Sequence, residues 1–240
     1  MRLQLKLLPV ENGKLDFDYQ YKLAGLVYKL LALGDEDLAA KYHKSTNFKF
    51  FTFSWLYGKH KVLEDGLEFT EPVKWYVSSP VQEFVEAILA GALKKPELEI
   101  DKTKFLLTEV KVLEEPKFSR VVQFKTLSPI IVRGFKEGKK NPHWDLSPRE
   151  SQFFVNLQKN LVKKYEQLYG KPPRDTSFNI TEVISPVQKR IKIKEEFYKC
   201  WMMRFRVEGN PDLLRLGYQV GLGEKNSMGF GMVVAERWGG

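Results

Sequence analysis

The stretch of this sequence with the most specific chemistry is glycine-rich and lies near the end of the chain, reading GLGEKNSMGFG. Its four glycines are Gly221, Gly223, Gly229 and Gly231. Because glycine tolerates positive φ and a close approach of other backbone, such a loop can bring its amides near phosphate groups. Three polar residues occupy its expected tip: Lys225, Asn226 and Ser227. A structural turn that packs two domains together is the alternative that the segment leaves open.

Two basic runs could also contact phosphates. Four cations of the first run fall within six residues: Lys189, Arg190, Lys192 and Lys194. On a strand, every second residue shares a face, so the last three of these would lie together. Four cations of the second run surround a glycine: Arg133, Lys136, Lys139 and Lys140. Three aromatic residues could stack on exposed bases: Phe135, Trp144 and Phe230. Each run could equally be an ordinary solvated surface.

Metal chemistry finds little support in the sequence. Its 3 histidines and single cysteine are scattered, without the spacing of a ligand cluster. The acidic pairs Asp35/Asp37 and Glu195/Glu196 are more typical of helix starts and turns than of a two-metal nuclease. A G-x-S-x-G nucleophile elbow is absent from the sequence. We therefore expect neither a metal nor another cofactor.

Hydrophobic periodicity predicts the elements that must position these segments. Alternating leucines predict a half-buried strand over Arg2 to Leu8, and apolar residues at helical spacing predict a helix from Asp18 to Leu33. A short helix follows from Glu36 to Tyr42, with Asp35 as its N-cap. The other predicted elements of the first half are strands at Phe48 to Trp55, Leu67 to Thr70, Lys74 to Ser78 and Phe105 to Leu113, and a helix from Pro80 to Leu93.

The second half repeats this order of elements. Ser147-Pro148-Arg149-Glu150 has the pattern of a capping box, with proline at the first position of a helix that ends near Gly170. The other predicted elements are a strand at Arg120 to Leu127, a hairpin of Ser177 to Ile184 with Val187 to Lys194, a strand at Tyr198 to Val207, a helix at Pro211 to Val220 and a strand at Met228 to Arg237. Two β-α-β-β-α-β units in series predict an α+β, tandem ferredoxin-like protein with domains at 1–116 and 117–240.

Composition points to a polyanionic partner. The chain has 240 residues, with Lys+Arg 39 against Asp+Glu 30 and a net charge of +9. One cysteine, Cys200, cannot form an intramolecular disulfide and suits a reducing cytosol. The first residues lack the apolar run of a signal peptide, and the stretch from Phe84 to Leu93 is too short for a bilayer span. We expect a soluble, cytoplasmic protein without a membrane partner.

Three stretches of the chain resemble a known family. GLGEKNSMGFGMV resembles the C-terminal glycine-rich signature of the repeat-associated mysterious protein superfamily, and FKTLSPIIVRG, from Phe124 to Gly134, resembles the opening strand of that superfamily's second domain. LAGLVYKLLALGDEDLAAKYH, from Leu23 to His43, is similar to the archaeal CRISPR repeat-processing endoribonuclease, the sixth Cas family. The resemblance extends over nearly the whole chain, and the last stretch narrows it to the processing enzyme.

The resemblance implies a tandem ferredoxin-like fold and metal-independent cleavage of CRISPR precursor RNA within each repeat, giving guide RNAs. It implies an active site of Tyr28, His43 and Lys49, although Lys44 competes for the place of the lysine. From the charge and spacing described above, we expect the glycine loop and the basic runs to contact this RNA: Lys189, Arg190, Lys192, Lys194, Arg133, Gly221, Gly223, Lys225, Asn226, Gly229 and Gly231. The expected partner is single-stranded or weakly structured repeat RNA. An RNA-guided effector complex and a homodimer stay open.

These three residues also have ordinary alternatives. At about 100° per residue, Tyr28 points roughly 130° from the apolar stripe of its helix, so we expect it to leave the core and have room for a ligand. Without a ligand it would be a half-exposed tyrosine. His43 could simply cap the C-terminus of the short helix, and Lys49 could be the solvent-facing residue of a strand. A repeat-binding protein that does not cut, or a structural subunit of an effector complex, is therefore the rival function.

Overall fold

The computed structural model of this chain describes three stretches: residues 1–11, 13–138 and 143–236. The chain divides into two compact units: Met1–Glu115 with Ser227–Gly229, and Pro116–Asn226 with Phe230–Gly240. Within the described stretches, no helix is both long and apolar enough to cross a bilayer.

The first unit is a β-α-β-β-α-β fold with additions. Its helices are α1 (Tyr19–Gly34), α2 (Glu36–Lys44) and α3 (Gln82–Lys94). Its strands are β1 (Arg2–Pro9), β2 (Gly13–Asp16), β3 (Thr52–Phe53), β4 (His60–Val62), β5 (Gly66–Phe69), β6 (Val73–Ser78), β7 (Glu97–Ile100) and β8 (Thr103–Leu113). The main sheet has the order β3-β6-β1-β8-β7, and β2, β5 and β4 form a second sheet. The order β3-β6-β1-β8 is the ferredoxin-like arrangement.

The core of the first unit lies between the main sheet and helices α1 and α3. Leu3, Leu5 and Leu7 of β1 are buried, as their alternation predicts. The apolar stripe of α1 is also buried, which confirms the prediction from its helical spacing: Leu23, Leu26, Val27, Leu30 and Leu31. This packing fixes the face of α1 on which Tyr28 lies.

The second unit repeats the fold. Its helices are α4 (Ser151–Tyr169) and α5 (Pro211–Val220), followed by a short 3₁₀ turn, Asn226–Met228. Its strands are β9 (Val121–Thr126), β10 (Arg133–Phe135), β11 (His143–Asp145), β12 (Phe178–Ile193), β13 (Glu196–Gly209) and β14 (Val233–Glu236). The sheet order β12-β13-β9-β14 again matches the ferredoxin-like arrangement, and β10 pairs with β11 in a separate hairpin. The tandem ferredoxin-like, α+β prediction is confirmed.

The largest error in the predicted elements concerns β12. The expected hairpin of Ser177 to Ile184 with Val187 to Lys194 is wrong, because β12 is one long strand that pairs with β13 along its length. The Ser-Pro pair that resembles a turn lies in an irregularity of this pairing between Ile184 and Val187, where Ser185 has φ 47. A long antiparallel pair can absorb such extra residues as a bulge without reversing the chain.

Three element ends also differ from the predictions. The helix expected at Pro80 begins at Gln82, with Val81 as its N-cap. The predicted capping box at Ser147 does not cap the helix: the Ser147 N–H donates to the Glu150 carboxylate at 2.7 Å, but α4 begins at Ser151 with Glu150 as its N-cap. The closing strand is limited to Val233–Glu236, because the glycine loop and its 3₁₀ turn occupy the residues before it; Arg237 lies outside the described residues.

Candidate active site and nucleic-acid interface

Tyr28 lies on α1 with its ring partly covered. It is half-buried and packs against the hydrophobic core, so the prediction that it leaves the core is wrong in part. The reason is Phe51, which covers this side of the helix and meets the Tyr28 ring edge-on, with 6.1 Å between ring centroids. The rest of the ring and the hydroxyl group remain at the edge of this packing. Tyr28 is thus held in place without being enclosed.

His43 lies in the last turn of α2, where its side chain is exposed. Asp35 begins this helix as predicted, because its carboxylate accepts the Leu38 N–H at 2.9 Å. The neighbouring Tyr42 anchors the helix to the core through Phe84, with 5.0 Å between ring centroids. The His43 ring meets the Tyr28 ring edge-on at a centroid distance of 6.0 Å. The short helix therefore brings an exposed imidazole to Tyr28.

Lys49 completes the cluster from a segment outside any strand. The strand expected over Phe48 to Trp55 is limited to Thr52–Phe53, which pairs with β6 alone. Lys49 is half-buried, and its Nζ donates to Tyr28 Oη at 2.8 Å. It is therefore not the solvent-facing strand residue of the alternative interpretation. The competing Lys44 is exposed at the end of α2.

The cluster combines three chemically different groups in one place. Imidazole can donate or accept a proton near neutral pH, and an ammonium group can stabilise developing negative charge. Tyr42, directly beside His43, is a poor proton donor because burial and the nearby Glu83 raise its pKa to about 12. His60 and His143 lie elsewhere, against Phe69 and Phe135. Across the described residues, no group of three or more His, Cys, Asp and Glu side chains could hold a metal ion.

The glycine-rich segment is a tightly folded loop. All four of its glycines have positive φ: Gly221, 83°; Gly223, 71°; Gly229, 82°; Gly231, 74°. The segment thus uses the tolerance of positive φ that its glycines were expected to provide. A Cβ on Gly223 would overlap the Ile131 carbonyl oxygen, and one on Gly229 would overlap the Phe53 ring. The loop conformation therefore depends on the absence of side chains at these positions.

The interior of the loop holds two polar side chains. Asn226 was expected at the tip, but it is buried, and its Nδ2 donates to the carbonyls of Leu222 at 3.1 Å and Phe230 at 2.9 Å. The other is Lys164 of α4, whose ammonium group donates hydrogen bonds to oxygen atoms of the loop. Asn226 faces inward because the loop carbonyls need buried donors. A direct contact between Asn226 and RNA is therefore not part of the interface described below.

Two of the cations predicted to contact RNA lie at the loop, Lys225 within it and Arg133 beside it. Arg133 was predicted to contact phosphates, but its guanidinium is engaged by Glu224, with Nη2 and Nε at 2.6 and 2.8 Å from Oε2. This ion pair tethers the loop to β10. Lys225 has φ 56 and is half-buried, with its Nζ 4.5 Å from the centroid of the Tyr198 ring. Burial, followed by the nearby Arg133, lowers the pKa of Lys225.

The predicted basic strand forms part of a broader basic face. Arg190 and Lys192 lie on one face of β12, and pairing with β13 places Lys199 and Phe197 beside them. The Arg190 guanidinium lies 4.3 Å from the Phe197 ring centroid, and both side chains are exposed. We call Arg190, Lys192, Phe197 and Lys199 the basic hairpin face.

Other predicted RNA-contacting residues lie elsewhere. Lys189 is exposed on the opposite face of β12, and Lys194 lies in the turn after it, with φ 56, so the prediction that Lys194 shares the face of Arg190 is wrong. Phe135 and Trp144 are exposed on the β10–β11 hairpin. Phe230 is fully buried and cannot stack on a base. Lys139 and Lys140 lie outside the described residues.

Three residues at this candidate interface were not singled out from the sequence: Lys199, Glu224 and Lys164. Lys199 joins the basic hairpin face only through cross-strand pairing, which a pattern along one strand cannot show. Glu224 lies in the glycine-rich segment, but its ion pair with Arg133 was not predicted. Lys164 lies on the buried, apolar face of α4 at helical spacing from Leu157 and Leu161, and a lysine in that stripe was a signal that the sequence offered.

These features define a class: a tandem ferredoxin-like protein with a basic, aromatic-bearing face and a separate acid–base cluster. Family models narrow the class. Residues 14–111 match the family described as "CRISPR-associated protein Cas6, N-terminal" and residues 113–235 match "CRISPR associated protein Cas6, C-terminal". The chain belongs to the Cas6 family.

Named relatives agree with this assignment. The chain is 37% identical to the CRISPR-associated endoribonuclease Cas6 of Pyrococcus furiosus, over 98% of this chain and 90% of the relative. It is 38% identical to CRISPR-associated endoribonuclease Cas6 1 of Methanocaldococcus jannaschii, over 98% and 92%. It is 34% identical to a protein of Pyrococcus horikoshii named putative CRISPR-associated endoribonuclease-like protein Cas6nc, over 97% and 98%.

Solved structures show the same similarity. The product of a Cas6-related gene from Pyrococcus furiosus superposes with a TM-score of 0.91 at 32% identity, covering 98% of each chain. A structure described as a RAMP protein binding different RNA substrates superposes with a TM-score of 0.89 at 33% identity, covering 99% of this chain and 100% of that one. Both similarities extend over the two ferredoxin-like units.

Proposed function

We propose that this chain binds CRISPR repeat RNA and cleaves the precursor transcript within the repeat, without a metal ion, to give guide RNAs. The observation that carries the proposal is the cluster of Tyr28, His43 and Lys49 in a member of the Cas6 family. In it, Lys49 Nζ donates to Tyr28 Oη at 2.8 Å, and the imidazole ring lies 6.0 Å from the Tyr28 ring. The three side chains supply what ribose-assisted RNA cleavage requires.

The reaction is an attack within the RNA itself. The 2′-oxygen of one nucleotide forms a bond to the adjacent phosphorus, and the bond from phosphorus to the 5′-oxygen of the next nucleotide breaks. The 2′-hydroxyl gives its proton to a base, and the leaving 5′-oxygen receives one from an acid. The products are a 2′,3′-cyclic phosphate and a 5′-hydroxyl. His43 serves as one of these proton-transfer groups, since imidazole works in both directions near neutral pH.

Lys49 and Tyr28 act as a pair in this proposal. The ammonium of Lys49 stabilises the charge that develops on the non-bridging oxygens of the phosphorane. Because Tyr28 Oη accepts a hydrogen bond from Lys49, the phenol O–H is left to donate toward the 2′-hydroxyl or a phosphate oxygen. Phe51 limits movement of the Tyr28 ring, which keeps both groups oriented before RNA arrives.

RNA is held mainly by the second unit. The basic hairpin face offers three cations and an exposed phenyl ring, which suits a single-stranded or weakly structured RNA whose bases are free to stack. Phe135 and Trp144 offer further stacking surfaces. The product then passes to an RNA-guided effector complex in the cytoplasm, a compartment that suits the buried free thiol of Cys200.

A repeat-binding protein without nuclease activity is the second candidate, favoured by the relative named "endoribonuclease-like" at 34% identity. One experiment separates the two. A labelled repeat RNA is incubated with the chain in EDTA, and the product ends are analysed. We expect one cut within the repeat, with a 2′,3′-cyclic phosphate and a 5′-hydroxyl. Tight binding with no cut would establish the second candidate.

The salt dependence of repeat binding should reveal the basic hairpin face. Each phosphate contact on a single strand contributes about −0.7 to the slope of log affinity against log salt. Replacing Arg190 and Lys192 with alanine should therefore flatten the slope by roughly 1.4. The matched control replaces Lys95 and Lys102, which are exposed in the first unit, with alanine. Equal slopes for the two double variants would remove the basic hairpin face from the interface.

A further inference from the structure

Lys164 is a fully buried ammonium group beneath the glycine-rich loop. Only 2% of the residue is exposed. Its Nζ donates to three oxygens of the loop region: Gly223 O at 2.7 Å, Asn226 Oδ1 at 2.6 Å and Gly221 O at 3.0 Å. An ammonium group has three hydrogens, so it can donate to all three of these acceptors at once.

A lysine at this position is costly for the fold. Lysine is almost never fully buried, and taking its charge out of water costs several kcal/mol before any partner is found. Burial lowers the pKa of Lys164 to about 7, opposed by the charge of Glu224. Leucine or methionine would pack α4 at this position without that cost. The charged group is thus present for its bonds to the loop rather than for the packing of the helix.

The bonds of Lys164 flank two consecutive residues, Glu224 and Lys225. Gly223 O is held immediately before them and the Asn226 side chain immediately after them. Lys225 between these anchors has φ 56, a left-handed conformation that lysine rarely adopts and that persists only where its surroundings impose it. Its ammonium lies over the Tyr198 ring, next to the Arg133–Glu224 pair.

We infer that Lys164 is a positioning residue that presents the ammonium of Lys225 to a phosphate of the bound RNA. The inference rests on the proposed RNA-binding function and assigns a particular contact to the glycine loop. Three carboxylates contribute negative charge around Lys225, namely Glu196, Glu224 and Asp145. Because these carboxylates repel a phosphate, the contact depends on where the Lys225 ammonium is held.

Binding of labelled repeat RNA to single and double variants tests this inference. Lys164→Met and Lys225→Met should each weaken affinity roughly tenfold or more, as expected for a lost charged hydrogen bond. Each should also lower the magnitude of the salt slope by about 0.7. Because Lys164 acts through Lys225, the double variant should bind no more weakly than Lys225→Met alone. Lys163→Met, on the exposed side of the same helix, removes an equal charge and should bind like the parent.

Lys164→Gln is a second variant that is less disruptive to the fold, since its amide can still donate to two of the loop oxygens without carrying a charge. Circular dichroism checks the fold of every variant. If Lys225→Met bound like the parent, or if Lys164→Met weakened binding further in the Lys225→Met background, the inference would be wrong while the proposed function stood. If the parent itself did not bind repeat RNA, the proposed function would fail and the inference with it.

Discussion

Replacing His43 with alanine should slow single-turnover cleavage of repeat RNA by roughly 10²- to 10⁴-fold, the usual loss when one positioned acid–base group is removed. The reason is that His43 is the imidazole of the cluster, with its ring 6.0 Å from that of Tyr28. Repeat affinity should stay within about twofold, because the phosphate contacts that we propose come from the basic hairpin face and the glycine loop. Rates are measured with RNA-saturating enzyme and affinities by filter binding.

His60→Ala is the matched control, since it makes the same chemical change at an exposed strand residue whose ring lies against Phe69. It should cleave at the parental rate. Two results would contradict the assignment of His43. One is a His43→Ala variant that cuts as fast as His60→Ala, and the other is a loss of rate that is explained entirely by lost RNA binding.

Replacing Gly223 with alanine should cause a large loss of stability. A Cβ at this position would overlap the Ile131 carbonyl oxygen, which already accepts the Glu224 N–H at 2.9 Å. Backbone cannot move aside as a side-chain tip can. The positive φ of 71° adds conformational strain of about 1–2 kcal/mol. We expect a total loss of about 3 kcal/mol or more, with repeat affinity reduced as the loop shifts.

Gly170→Ala separates the two causes of that loss. Gly170 ends α4 with φ 68, close to the φ of Gly223, but a Cβ there would meet nothing within 4 Å. It should therefore lose only the conformational part, about 1 kcal/mol, and bind RNA normally. Urea denaturation followed by circular dichroism measures both variants. Equal losses at the two positions would mean that the overlap with Ile131 does not constrain the loop.

Elements set by local periodicity were predictable from the sequence. The apolar stripe of α1, the N-cap at Asp35 and the helix at Pro211–Val220 follow from residues close together in the chain. Elements that depend on distant partners were not. The segment before Thr52 has the composition of a strand, but the sheet pairs only Thr52–Phe53 there. The length of β12 follows from its pairing with β13 and not from its own turn-like residues.

The candidate site shows the same division. Resemblance to a family suggested Tyr28, His43 and Lys49, but no pattern in the sequence could show that Lys49 donates to Tyr28 across 21 positions of the chain. Positive φ in the loop could be expected from its glycines, because tolerance of positive φ is a property of glycine itself. The inward direction of Asn226 and the burial of Lys164 depend on which carbonyls lack partners once the loop has folded. Which carbonyls lack a hydrogen-bond donor can be seen only in the folded structure.

The most direct measurement of the central claim compares two repeat RNAs that differ in one atom, the 2′-oxygen of the nucleotide at the cut. Both are incubated with the unmodified chain in EDTA, and binding and cleavage are measured on the same samples. We expect that the all-ribose RNA is cut and that the 2′-deoxy RNA binds with similar affinity but stays whole, because its nucleophile is missing. Cleavage of the 2′-deoxy RNA, or failure to cut the all-ribose RNA in EDTA, would contradict it.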